Sequence, residues 1–280
     1  MNSVRNYMSI LLFCCTIVTS AQQYIFEGEL GKFSNAASFS INPAGILYIS
    51  DSDENEITKL DTLGNVLKFI GGYGWQESLF DDPCDIFANT LNVYVADKNN
   101  DRVQIFDKDL NFLSQIKNSN NSSGDEFRYP SGIGISNQGD LFILDSDNSR
   151  ILKYNILGKF QFQIGGVDAG RFALSNPKNI AVTFDQKILV IDNDNLVAFD
   201  HFGNGILKFN LKFEALNINA TFQNVTLTDG KTIFISNPAD VYNFKKFEPK
   251  IEIEIKDAAI FNQKLYVLTP ENILIYKIVM

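Results

Sequence analysis

The stretch "VYVADKNNDRVQIFD" sets an aspartate and an arginine five residues apart across a polar turn, Asp97 and Arg102. A carboxylate beside a guanidinium can orient a substrate or position a base, so the pair reads first as a reactive site. The same spacing returns at Asp145 and Arg150, and the aspartate returns alone at Asp51 and Asp192. These four carboxylates lie 46, 48 and 47 residues apart. A reactive centre is singular, whereas a pair stamped along a chain has a structural task. Asp51, Asp97, Arg102, Asp145, Arg150 and Asp192 are therefore expected to cap turns and bond one repeat to the next, as aspartate does in tight turns.

Other reactive side chains are few. His201 is the only histidine and falls in the turn "FDHFGNG", which leaves no Ser-His-Asp or Cys-His set to assemble. Cys84 follows Pro83 at the head of a strand and reads as a small buried residue, with no histidine to activate it. The acidic turns "DSDEN", "DSDNS" and "DNDNL" look like calcium loops but lack the glycine and closing glutamate of an EF-type loop. No catalytic residue and no cofactor is expected. The alternative is calcium or another divalent cation over a central channel, held by Asp51, Asp97, Asp145 or Asp192.

The elements that position these residues are repeats. "GILYISDSDENEITKLDTLGNVLKFIGG", "LNVYVADKNNDRVQIFDKDLNFLSQIKN", "GDLFILDSDNSRILKYNILGKFQFQIGG" and "QKILVIDNDNLVAFDHFGNGILKFNL" align with few gaps. "KTIFISNPADVYNFKKFEPKIEIEIK" and "QKLYVLTPENILIYKIV" follow more faintly, with Asn237 and Thr269 in the place of the aspartate. Each unit reads as four short strands, a to d, rich in Val, Ile, Phe and Tyr and bounded by Gly, Asn, Asp or Pro. A period of this length with four strands predicts an all-β, six-bladed β-propeller of four-stranded blades. The blades fall at about 31–72, 73–118, 119–166, 167–211, 212–256 and 257–280, the last completed by residues 22–30. An N-terminal strand that completes the last blade closes the ring and removes two exposed sheet edges.

Residues 1–21 read as a signal peptide: Arg5, an apolar run from Ile10 to Val18, then the small residues Thr19, Ser20 and Ala21. The apolar run is too short to span a membrane, so a secreted, periplasmic or cell-surface protein with no remaining span is expected. Cys14 and Cys15 leave with that leader, and the lone Cys84 has no partner for an internal disulfide. The formal net charge is −9, and loss of Arg5 takes it one unit further negative. Such a surface repels a phosphate backbone, which argues against nucleic acid as a partner. A monomer is expected.

"YPSGIGI", "LFILDSDNSRILKY" and "YVADKNNDRVQIF" resemble NHL repeats, with a proline-led first strand, a strand ending in Asp, and an Asn-x-Arg turn. The resemblance is strong in repeats two and three. Glu56 replaces the arginine in repeat one, and repeat four shortens the turn to "DNDNL". It implies a six-bladed propeller and far less about activity, since propellers carry unrelated functions; NHL-type propellers elsewhere serve, by analogy, as extracellular sensor domains and interaction modules. In this strand order the b–c turns and d–a loops share one face, and the a–b and c–d turns share the other. The long d–a loops "GGYGWQESLFDDP", "NSNNSSGDEFRYP" and "GGVDAGRFALSNP" carry Tyr73, Trp75, Gln76, Arg128, Tyr129 and Arg171, the expected contact surface. The function expected is non-catalytic binding of a protein, peptide or glycan on that face. The alternative is a divalent-metal-dependent hydrolase of lactonase type, with its site at the channel. Asn121, Asn219 and Asn224 sit in Asn-x-Ser/Thr glycosylation patterns.

Overall fold

A computed structural model of the chain describes residues 22–117 and 126–279; the leader and Asn121 lie outside them. Within those residues the strands form six antiparallel sheets of four. The first strand, β1 (Gln23–Leu30), is set apart from the blade that follows it. Blade one is β2 (Ala36–Ile41), β3 (Leu47–Asp51), β4 (Glu56–Leu60) and β5 (Val66–Gly71). Blade two is β6 (Pro83–Ala88), β7 (Asn92–Asp97), β8 (Arg102–Asp107) and β9 (Phe112–Lys117). Blade three is β10 (Pro130–Ile135), β11 (Leu141–Asp145), β12 (Arg150–Tyr154) and β13 (Phe160–Ile164). Blade four is β14 (Pro177–Val182), β15 (Ile188–Asp192), β16 (Asn195–Phe199) and β17 (Gly205–Asn210). Blade five is β18 (Asn217–Ala220), β19 (Val225–Thr228), β20 (Ile233–Asn237) and β21 (Asp240–Phe247). Blade six is β22 (Asp257–Phe261), β23 (Lys264–Leu268) and β24 (Ile273–Val279), with β1 as its outer strand. No helix among the described residues is long and apolar enough to cross a membrane.

Local chemistry explains the hairpins. Asp61, Asp107, Asn155 and Asp200 each accept two backbone amides two and four residues on, which fixes the c–d turns of four successive blades. Strand b is apolar on both faces because it lies between two neighbouring sheets. Burial is divided among six clusters, one at each junction between blades. Tyr48 and Ile57 of blade one meet Ile86, Val95 and Phe106 of blade two, and Leu47 and Ile49 meet Tyr266 and Leu268 where the ring closes.

The fifth repeat differs from its sequence reading. Its aspartate position is held by Asp229, in the b–c turn, where Oδ1 accepts the amides of Lys231 and Thr232. Asn237 instead sits in the c–d hairpin, paired with Asp240. The reason is chain length: "NINATFQNVTLT" supplies two strands before Thr232, so each later strand shifts outward by one place. The alternating "IEIEI" becomes the connection to blade six, anchored by buried Ile255, whose amide donates to Gly230 O.

Ring closure is extensive. β1 pairs with β24 from Gln23↔Val279 to Leu30↔Ile273. Tyr24 stacks on Phe247 with centroids 4.3 Å apart, and Lys264 Nζ lies 2.8 Å from Glu27 Oε2. Deleting Tyr24 to Leu30 uncovers the β24 edge and strips these contacts. The truncated protein is expected to unfold at a lower temperature and to aggregate during a thermal scan. Unfolding at the parent's temperature without association would show that the velcro strand is dispensable.

Candidate functional site

Each repeated aspartate is buried at the end of strand b and holds the loop that enters its own blade. Asp51 accepts the amides of Ser34 and Asn35, Asp97 that of Asp81, Asp145 that of Arg128, and Asp192 those of Ser175 and Asn176. The cation completes the knot. Arg102 Nε lies 2.6 Å from Asp97 Oδ2, with the two side chains 5% and 0% exposed. Its remaining nitrogens donate to the carbonyls of Trp75, Gln76 and Leu79. Arg150 repeats this with Asp145 and Glu126 O. Blade four lacks the arginine, and Lys208 arrives from β17 instead, 3.2 Å from Asp192 Oδ2 and bonded to Ala173 O. Blade one has Glu56 there, whose carboxyl is pushed up by burial and, more weakly, by Asp51 and Glu54.

A second link reaches forward. The residue before strand c takes a left-handed conformation, at Asn55, Asp101 and Ser149. Asn55 Oδ1 accepts the Asp82 amide, Asp101 Oδ1 accepts the Tyr129 amide, and Ser149 Oγ donates to Ser175 O. Neighbouring Asp101 and Arg102 thus tether two successive loops to one turn. On those loops Tyr73 and Trp75 are 68% and 72% exposed, and Gln76, Arg128 and Tyr129 are exposed beside them. Arg171 is exposed on the third loop, its guanidinium over its neighbour Phe172; no recorded bond ties it to the other five. Among the described residues no group of three or more His, Cys, Asp or Glu side chains converges to hold a metal ion.

His201 lies in a c–d turn on the opposite face, where its carbonyl accepts from Lys153 Nζ. Cys84 donates to Pro130 O, and burial, then the fields of Asp85 and Asp82, hold its thiol well above the usual range.

The channel contains what the sequence did not announce. By register, Ser38, Asp85, Gly132, Asn179, Asn217 and Asp257 occupy one level of the six innermost strands. Glycine is required in that level's third place, because a Cβ on Gly132 would stand 2.7 Å from Ile180 Cγ2. Ser38 Oγ donates to Asp85 Oδ1 and Ile133 N to Asp85 Oδ2, both at 2.7 Å. Asn219, read from sequence as a glycosylation acceptor, points into the channel and donates to Asp257 Oδ2. Burial pushes the Asp85 carboxyl up to about 6 against these bonds. Burial pushes Asp257 up to about 8, opposed by Asn219 and the Ala258 amide and reinforced by Asp85. Above this floor a cavity of about 770 Å³ opens on the a–b face, walled by apolar side chains. The shared signal was the polar residue in "PCDIFA", "PKNIAV" and "KDAAIF", each at the same place in strand a.

Residues 127–154, which span the Asp145–Arg150 turn, match the NHL repeat. The chain carries an NHL repeat in a six-bladed β-propeller. Protein brain tumor of Drosophila melanogaster is 30% identical to it over 144 residues, which cover 50% of this chain and 13% of that protein. B-box type zinc finger protein ncl-1 of Caenorhabditis elegans is 29% identical over 143 residues, covering 50% and 16%. The chain thus spans only a small part of either relative's length. A solved streptogramin B lyase superposes with a TM-score of 0.65 at 12% identity, covering 92% of this chain and 98% of that one. A chain of a nidogen/laminin complex superposes with a TM-score of 0.61 at 14% identity, covering 77% and 81%. At these identities the likeness is one of fold.

The two channel carboxyls make the propeller's stability depend on pH in a defined sense. Asp257 has a folded pKa of about 8 against a reference of 3.8, so between those values the folded protein keeps a proton that the unfolded chain releases. Stability therefore falls as pH rises from about 4 to about 8, and Asp85 adds a narrower fall up to about 6. Asp257→Asn removes the larger effect. Its melting temperature is expected to match the parent's near pH 4 and to exceed it increasingly towards pH 8, by roughly a few kcal/mol of stability. A constant difference across that range would contradict the assignment.

Proposed function

We propose that the NHL propeller is an exported, non-catalytic binding module that takes a protein or peptide partner on its loop-bearing face. One observation carries this reading: Tyr73 and Trp75 stand in solvent on a loop whose carbonyls are fixed by buried Arg102. Large aromatics held in place lose little freedom on binding and are frequent anchors of interfaces. Arg128 and Tyr129 extend the surface from the next loop, tethered by Asp101. A glycan would stack on the same rings, and the acidic composition disfavours a phosphate backbone.

Immobilised propeller is expected to retain a partner from the extracellular fraction of its source, identified by mass spectrometry and then titrated in purified form. Trp75→Ala with Arg128→Ala should weaken that affinity by about tenfold or more, on the scale of interface anchors. Both side chains are exposed, so thermal stability should change by only about 0.5 kcal/mol. Unchanged affinity in the folded double variant sinks this surface. Export rests on residues 1–21, and intact mass of the protein recovered outside the cytoplasm should begin at Gln22; a protein found only in the cytoplasm with residues 1–21 retained would rule the export reading out.

A further inference from the structure

The cavity on the a–b face is independent of the loop surface. Its volume of about 770 Å³ falls within the range of small-molecule sites. Ile41, Phe87, Val182, Phe184, Phe222 and Phe261 supply apolar wall and rim. Phe184 and Phe222 meet edge to face at the mouth with centroids 4.1 Å apart, and both remain more than half exposed. The floor is polar: Ser38, Asp85, Asn219 and Asp257.

The charge on that floor has no counterpart. Among the described residues no Lys, Arg or His side chain lines the cavity. Asp85 is only 7% exposed, and its hydrogen bonds come from the Ser38 hydroxyl and the backbone amides of Ile133 and Ile86, none of which carries charge. A buried carboxylate is ordinarily paired with a cation, and none of these partners supplies one. Asp257 lies close enough to feel Asp85 and is the more firmly protonated of the two, so the floor holds about one negative charge near neutral pH. The missing partner is a cation that can travel through an apolar funnel.

We propose that the channel binds an organic amine, with an ammonium head on Asp85 and an alkyl or aryl body against the apolar wall. The ammonium has three donors; Asp85 accepts one, and the hydroxyl and amide groups of Ser38 and Asn219 line the same floor. An anionic analogue meets the carboxyl pair and is repelled. A neutral alcohol of the same shape keeps the wall contacts and loses the charge-assisted bond.

Titration calorimetry at pH 7 with phenethylammonium and octylammonium tests this, with phenethyl alcohol, phenylacetate and calcium chloride as comparisons. The ammonium probes are expected to bind at one site, about tenfold or more tighter than the alcohol, with no heat from phenylacetate. Asp85→Asn should abolish that preference while leaving the protein folded, because it removes an unpaired buried charge. Phe184→Ala with Phe222→Ala, both at the exposed rim, should weaken all apolar probes together and preserve the preference for ammonium. Equal binding of amine and alcohol, binding unaffected by Asp85→Asn, or no binding of either ammonium probe overturns the proposal. Calcium binding that depends on Asp85, without amine binding, overturns it in favour of a metal floor.

Discussion

A carboxylate out of reach of water must find donors, and Asp97 finds them in the Asp81 amide of the loop that enters its blade, the guanidinium of Arg102 and the side-chain amides of Asn100 and Gln104. That requirement organises the molecule. Because one donor belongs to the connection from the previous blade and Arg102 holds that connection's carbonyls, satisfying the buried charge also fixes how one blade follows another. Leaving such a charge without its partner costs about 3–5 kcal/mol, which makes the arrangement effectively all or none. Blade four shows how strong the demand is. With no arginine at the start of β16, Lys208 reaches across from β17 to the same oxygen of Asp192. Blade one meets it with amides alone, since Asp51 accepts from Ser34, Asn35, Asp53 and Glu54.

The fold was readable because this device is periodic. Asp97 and Arg102 reappear as Asp145 and Arg150, and strand length, turn chemistry and ring closure follow from the same spacing. The fifth blade escaped because its divergent repeat contains two candidate pairs of inner strands, and only packing against β14 and β22 decides which pair lines the channel. Lys208 escaped for a related reason: the substitution keeps the charge but moves it to another strand, where no alignment of like positions would look for it.

The channel floor was hidden differently. Ser38, Asp85, Gly132, Asn179, Asn217 and Asp257 share a level in space but not a residue type, so no motif marks them. A bulge at the head of strand a in the first four blades shifts the face each residue presents, and simple alternation cannot place it. The two faces consequently differ in character. On one, polar anchors present long loops; on the other, tight turns expose Leu63, Leu91, Leu157, Phe184, Phe202 and Phe222 around the funnel.

The pairing of Gln23 with Val279 gives the propeller a fixed point of attachment. β1 runs towards the loop-bearing face and β24 runs away from it, so both chain ends emerge together at the outer rim of blade six, on the funnel side. Polypeptide continuing from either end would leave from one corner and stay clear of the aromatic loops.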